Sequence, residues 1–118
     1  MRIVTKARSA YDLWLTENIK EATIIRTKNV VESFNEFRDK NYEVLSGLRP
    51  KLLDEMERLP GSRILDGSFT LIGQSVGCKK GVPEAAHFIE ECVQEVVNDG
   101  TVDGWIEKFG VVGKLSSK

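Results

Sequence analysis

Residues 1–26 read Met1-Arg-Ile-Val-Thr-Lys-Ala-Arg-Ser-Ala-Tyr-Asp-Leu-Trp-Leu-Thr-Glu-Asn-Ile-Lys-Glu-Ala-Thr-Ile-Ile-Arg26. The run Ile3 to Lys6 predicts a strand. From about Ala10 to Lys20, Tyr11, Trp14, Leu15 and Ile19 recur at helical spacing, which predicts an amphipathic helix. Ala22 to Arg26 is a compact β-branched run, as in a strand buried on both faces. Strand, helix and strand in this order form a βαβ crossover, which implies a parallel sheet. The turn between the first two elements carries Arg8 and Ser9 beside the unpaired N–H groups of a helix start, a ready anion site.

The same alternation continues outward. A helix starting near Asn29 directs Val30, Val31, Phe34 and Phe37 inward, and Tyr42 to Leu45 makes a third strand closed by Gly47. Pro50 suits the first turn of a third helix, where its missing N–H costs nothing; Leu52, Leu53, Met56 and Leu59 form its inner face. Arg63 to Leu65 and Phe69 to Cys78 read as two more strands. A long helix follows from Pro83 to about Asn98, with Ala85, Phe88, Ile89, Cys92, Val93, Val96 and Val97 on one stripe. Gly100 stops it, and Thr101 is placed to cap a last helix that buries Val102, Trp105, Ile106 and Phe109. The expected class is α/β: a mostly parallel sheet flanked by helices. Ligands of such sheets sit outside the carboxyl ends of the strands, here Lys6 to Ser9, Arg26 to Lys28 and Ser46 to Arg49.

Composition narrows the function. A chain of 118 residues with 17 basic and 18 acidic side chains and a formal charge of −1 has the balance of an ordinary globular domain. No clustered basic face suggests nucleic-acid binding. No apolar run approaches the roughly 20 residues that span a bilayer, and no signal peptide is visible, which points to the cytoplasm for the chain as it stands. Cys78 and Cys92 fit no metal motif; they read as buried free thiols or a chance pair, with the disulfide state open. The series Gly67, Gly73, Gly77, Gly81 lacks dinucleotide-loop spacing. His87 has no partner spacing that suggests catalysis. Neither a catalytic residue, a metal nor a cofactor is expected. Asp54-Glu55 and Glu90-Glu91 read as solvated helix faces, and Trp14 and Trp105 as core residues.

Four segments carry a resemblance: Arg2-Ile-Val-Thr-Lys-Ala-Arg-Ser-Ala-Tyr-Asp-Leu, Tyr42-Glu-Val-Leu-Ser-Gly-Leu-Arg-Pro, Leu65-Asp-Gly-Ser-Phe-Thr and Asp99-Gly-Thr-Val-Asp-Gly-Trp-Ile-Glu-Lys-Phe-Gly. Together and in order, they resemble the second half of the family 3 extracellular solute-binding proteins, the polar amino-acid receptors of ABC importers. That resemblance implies one lobe of a periplasmic-binding-protein-like fold over residues 1–68, then a segment over 69–118 that in the family returns to the first lobe. It implies a periplasmic or extracellular setting, and an ABC permease as partner for a complete receptor.

The family grips a ligand carboxylate with the turn after the lobe's first strand, which carries over by position to Arg8, Ser9 and Ala10. Many members have glycine before the hydroxyl residue; this chain has Arg8. Tyr11 and Arg49 are further candidate ligand contacts, with Lys6 near the same rim. Where the family has an aspartate for an ammonium group, alignment on Pro50 puts Leu48. A buried ammonium without a partner would cost several kcal/mol, so a small anionic solute is favoured over a zwitterionic amino acid. Two other functions compete. One is a dehydratase-like enzyme on the same fold, although Glu43 is expected to point away from the cleft. The other is a homodimeric interaction module, joined through the apolar segment from Phe69 onward, which lacks the family's first lobe as a partner.

Overall fold

The computed structural model describes residues 1–117. It divides into two compact units, Met1–Ile72 and Gly73–Lys118.

In the first unit, β1 (Arg2–Lys6), α1 (Ala10–Asn18), β2 (Thr23–Thr27), α2 (Val30–Asp39), β3 (Val44–Leu45) and α3 (Arg49–Glu57) follow one another. The three strands form one parallel sheet in the order β2-β1-β3. The class is therefore α/β, with a small parallel sheet flanked by helices. β1 lies in the middle, with Arg2 to Lys6 in register with Thr23 to Thr27 on one side and Ile3 and Val4 opposite Val44 and Leu45 on the other. The β1-to-β2 and β2-to-β3 connections run in opposite directions across the sheet. Right-handed crossovers then put α1 and α2 on opposite faces. This explains why Ile3, Val4 and Thr5, whose side chains alternate between the faces, are all buried.

Both helix starts that follow β1 and β2 are closed in the same way. Ser9 accepts the Asp12 N–H at 3.1 Å, and Asp12 accepts the Arg8 N–H at 2.9 Å. Asn29 accepts the Glu32 N–H at 2.9 Å, and Glu32 accepts the Lys28 N–H at 2.9 Å. These are variants of the reciprocal capping box in which the carboxylate reaches the N–H one residue before the N-cap, and each carboxylate also favours the positive end of its helix. Behind the second box the Thr27 and Ser33 hydroxyls lie 2.5 Å apart, and each contacts the Asn29 carbonyl. Two buried hydroxyls are thereby satisfied.

At the opposite end of the sheet, Arg2 binds Glu43 through its guanidinium and, at 2.6 Å, through its own N–H, while its guanidinium lies 4.8 Å from the Tyr42 ring centre. Glu43 thus sits at the amino end of the strands. The Phe34 ring, buried on α2, lies under the guanidinium groups of Arg38 and Arg58. Trp14 meets Phe69 with ring centres 5.0 Å apart.

Several expectations are corrected. Residues 63–65 and 69–78 form no strand. A strand needs a ladder partner for its N–H and C=O groups, and the described sheet pairs β1 with β2 and β3 only. Val31 is not inward but 63% exposed; the α2 positions that bury fully are Ser33 and Phe34. Glu55 is not solvated: only 3% exposed, it lies 3.5 Å from Lys51 with Oε1 lacking a hydrogen bond. Desolvation, opposed by Lys51, pushes its carboxyl above the usual carboxylate range. Leu52, Leu53 and Met56 of α3, and Leu59 just beyond it, are only half-buried.

In the second unit, α4 (Pro83–Asn98) and α5 (Thr101–Lys108) pack on each other. Gly100, at φ 84°, is the N-cap of α5 and makes the turn that an L-residue would resist. Thr101 does not cap; its N–H is accepted by Asp99 at 2.8 Å. The expected core stripes are not buried. Neither helix has a buried residue, and Trp105 of α5 is half-exposed. Cys78 and Cys92 are free thiols, but not buried ones: Cys78 is exposed and Cys92 half-buried.

Two outcomes follow for the first unit. The Thr5 hydroxyl is fully buried without a partner, so Thr5→Val should raise stability by about 1 kcal/mol, read by urea unfolding. Arg2 holds the Glu43 carboxyl down to about 2. A depressed carboxylate stabilises the fold above its unfolded pKa and loses that contribution as pH falls toward 2. Glu43→Gln should therefore flatten the thermal-stability profile between about pH 4.3 and 2.

Candidate functional site

In a parallel sheet ordered 2-1-3, the chain leaves β1 and β3 toward opposite faces, the switch point where such sheets form a strand-end crevice for ligands. The turn Ala7–Ser9 and the segment Ser46–Leu48 follow the carboxyl ends of these two strands. Ser46 is tied to β1 by its N–H at 2.9 Å and its hydroxyl at 3.2 Å, both donated to the Val4 carbonyl. The Ala7 N–H is donated to the Thr27 carbonyl at 2.9 Å. The turn after β1 is therefore held at its base from both neighbouring strands.

Arg8 then takes φ 59°, the left-handed region where a side chain is strained by roughly 1 kcal/mol. A glycine would be relaxed there; the chain places a cation instead. This conformation aims the Arg8 N–H at Asp12 and starts α1 at once. The Ser9 hydroxyl donates to the Lys6 carbonyl at 2.8 Å while it accepts from Asp12 N–H. With its capping roles filled, the N–H groups of Ser9, Ala10 and Tyr11 have no acceptor among the described residues. Three consecutive free donors at a helix start are the arrangement that binds a carboxylate or phosphate oxygen.

An open depression of about 370 Å³ lies at this helix start, lined by Arg8, Ser9, Ala10, Asp12, Leu13 and Thr16. The structure thus gathers Arg8, Ser9 and Ala10 at one place. Tyr11 is buried and does not line the depression. Arg49 opens α3, and its guanidinium donates to the Gly67 carbonyl at 2.8 Å, holding the loop after α3 rather than lining the depression. Leu48, the N-cap of α3, offers no side-chain hydrogen bond, and the strand-end crevice has no carboxylate at that place.

The sequence places Arg26 only at a strand end; the Asp12 carboxylate and its pairing with Arg26 come from the structure. The Asp12 carboxylate, largely buried, accepts Arg26 Nε at 2.9 Å as well as the Arg8 N–H. Arg26 also donates to the Thr16 hydroxyl at 2.7 Å. Asp12 was legible in principle as the fourth residue of a Ser-x-x-Asp capping box. Its pairing with Arg26 was not, because Arg26 reaches Asp12 only through the β1–β2 register that sets it opposite Thr5. The pair matters electrostatically: a lone Asp12 charge at the helix start would repel an incoming anion, and Arg26 neutralises it.

Among the described residues no group of three or more His, Cys, Asp or Glu side chains is placed to hold a metal ion. His87 Nε2 lies 3.3 Å from Glu91 on the exposed face of α4. None of the described helices is long and apolar enough to cross a membrane. Comparison with protein-family models, with curated proteins and with solved structures finds no match to this chain.

Arg26→Ala should destabilise the first unit by about 1 kcal/mol, since one partner is largely exposed and solvent screens the pair. A double-mutant cycle with Asp12→Asn, followed by urea unfolding, should return a favourable coupling of about that size.

Proposed function

We propose that the first unit is one jaw of a solute-binding protein and takes a small anionic solute, or an acidic amino acid, at the start of α1. The observation that carries this reading is the row of unbonded N–H groups at Ser9, Ala10 and Tyr11, at the carboxyl end of the central strand, with Arg8 beside them. The amides supply directional donors, the helix dipole a partial positive charge, and Arg8 a formal one. Arg26 supports the same role by compensating Asp12. A single carboxylate suits the site better than a multiply charged group, because Asp12 already shares the positive end of the helix.

On this reading the chain is a binding component and not an enzyme. The strand ends carry Arg8, Ser9 and Lys28, whereas Glu43 is engaged by Arg2 at the far end of the sheet. The family resemblance supplies the setting: import by an ABC-type permease outside the inner membrane. A single jaw leaves much of the solute wetted, so binding by one copy is weak, on the order of millimolar. A homodimer, in which another copy adds covering surface, belongs to the same proposal.

The test is an NMR titration of the labelled protein with glutamate, succinate and putrescine, a diamine without a carboxylate. Glutamate and succinate should move the amide resonances of residues 8–11, and putrescine should not. Arg8→Gly, which removes the charge and relaxes the backbone, should weaken the effect about tenfold without lowering the melting temperature. Unmoved resonances at 8–11 with every acid would overturn the reading.

A further inference from the structure

The second unit is amphipathic without a core. Phe88 and Val93 of α4, Trp105 of α5, and Phe109, Val112 and Leu115 beyond it are all exposed, Phe88 by 65% and Phe109 by 73%. An aromatic side chain carries roughly 150–250 Å², so these six groups present several hundred Å² of apolar surface. That approaches the roughly 800 Å² per partner of a stable interface. Scattered single apolar residues need no explanation, but a sixteen-residue helix with an apolar stripe and no buried residue does.

The charges say what covers it. α4 carries Glu84, Glu90, Glu91 and Glu95 and no lysine or arginine. Lys79 and Lys80 stand just before its first turn, which holds Glu84, while Asp99 and Asp103 stand just after its last; Lys108 and Lys114 come later, at and beyond the end of α5. A segment with a basic pair before its helix and an acidic pair after it is complementary to itself when reversed. Antiparallel pairing about a two-fold axis sets Lys79 and Lys80 of each copy alongside Asp99 and Asp103 of the other. It also opposes the helix dipoles and turns the glutamates outward. Parallel pairing would stack like charges at both ends.

We infer that the α4–α5 face is the dimer interface of this protein, and that its occupant is the antiparallel α4 of a second copy. This deepens the homodimer named above and does not depend on the anion site. An isologous contact of this kind gains from every complementary pair twice, once on each side of the axis. It also brings Ile89 and Cys92 near the axis, because the midpoint of α4 falls between residues 90 and 91.

Light scattering after size exclusion, at tens of micromolar and low salt, reads the mass. The full chain should be a dimer. Lys79→Glu with Lys80→Glu should raise the dissociation constant at least tenfold, and adding Asp99→Lys with Asp103→Lys should restore it. These side chains are on the surface, so the fold of the first unit, followed by Trp14 and Phe69 ring resonances, should persist in all three proteins. Ile89→Asp should give a monomer.

A monomeric wild-type chain, a dimer indifferent to both the charge reversal and Ile89→Asp, or a reversal that the second pair fails to rescue would each overturn the inference. A monomer that still shifts its residue 8–11 amides with glutamate would refute the interface and leave the binding site standing. A dimer silent to every acid would do the opposite.

Discussion

Everything in the first unit depends on β1 being paired along both edges. A five-residue strand has too little burial of its own to order a chain. Flanked by β2 and β3, it satisfies its N–H and C=O groups and buries Ile3, Val4 and Thr5 between helices on both faces. The two-sided ladder also sets the position of the site. It clamps the turn at Ala7 from β2, brings Ser46 to the Val4 carbonyl from β3, and leaves Arg8 to Ala10 in a short turn with a defined direction. The strain at Arg8 is tolerated because both ends of that turn are held.

Within this frame the helix starts divide their donors. Capping at Ser9–Asp12 and Asn29–Glu32 uses the N–H of the residue before each N-cap and that of the third helical residue, and leaves the donors between them without an acceptor among the described residues. The α1 start differs from its counterpart by the extra ion pair to Arg26. That pair keeps a carboxylate in the structure of the turn without leaving its charge to oppose an anion. In the proposed function, stability and anion recognition draw on the same few atoms, and Asp12 serves both.

The second unit shows what amphipathicity does and does not establish. Its stripes at helical spacing correctly identify α4 and α5, because periodicity and end signals are local. Val102, Trp105, Ile106 and Phe109 form the expected face, yet none is buried. Burial requires an opposing surface, and no stretch of sequence states which surface that is. The same reason removes the expected strands at 63–65 and 69–78: β-branched and apolar runs are suited to a sheet, but a ladder forms only where a neighbouring edge is free and within reach.

Local patterns in the chain settled the α/β class, the order of the first six elements and the helix start at Ser9 with Arg8 beside it. Each of these rests on interactions between residues within about four positions of one another. The tertiary structure decided the rest. It ordered the strands 2-1-3, buried Glu55 where its neighbours suggested a solvated face, withdrew Tyr11 and Arg49 from the depression, and delivered Arg26 to Asp12 across the β1–β2 register. These outcomes depend on residues brought together across 14 or more positions, and only the packed fold sets which of them meet.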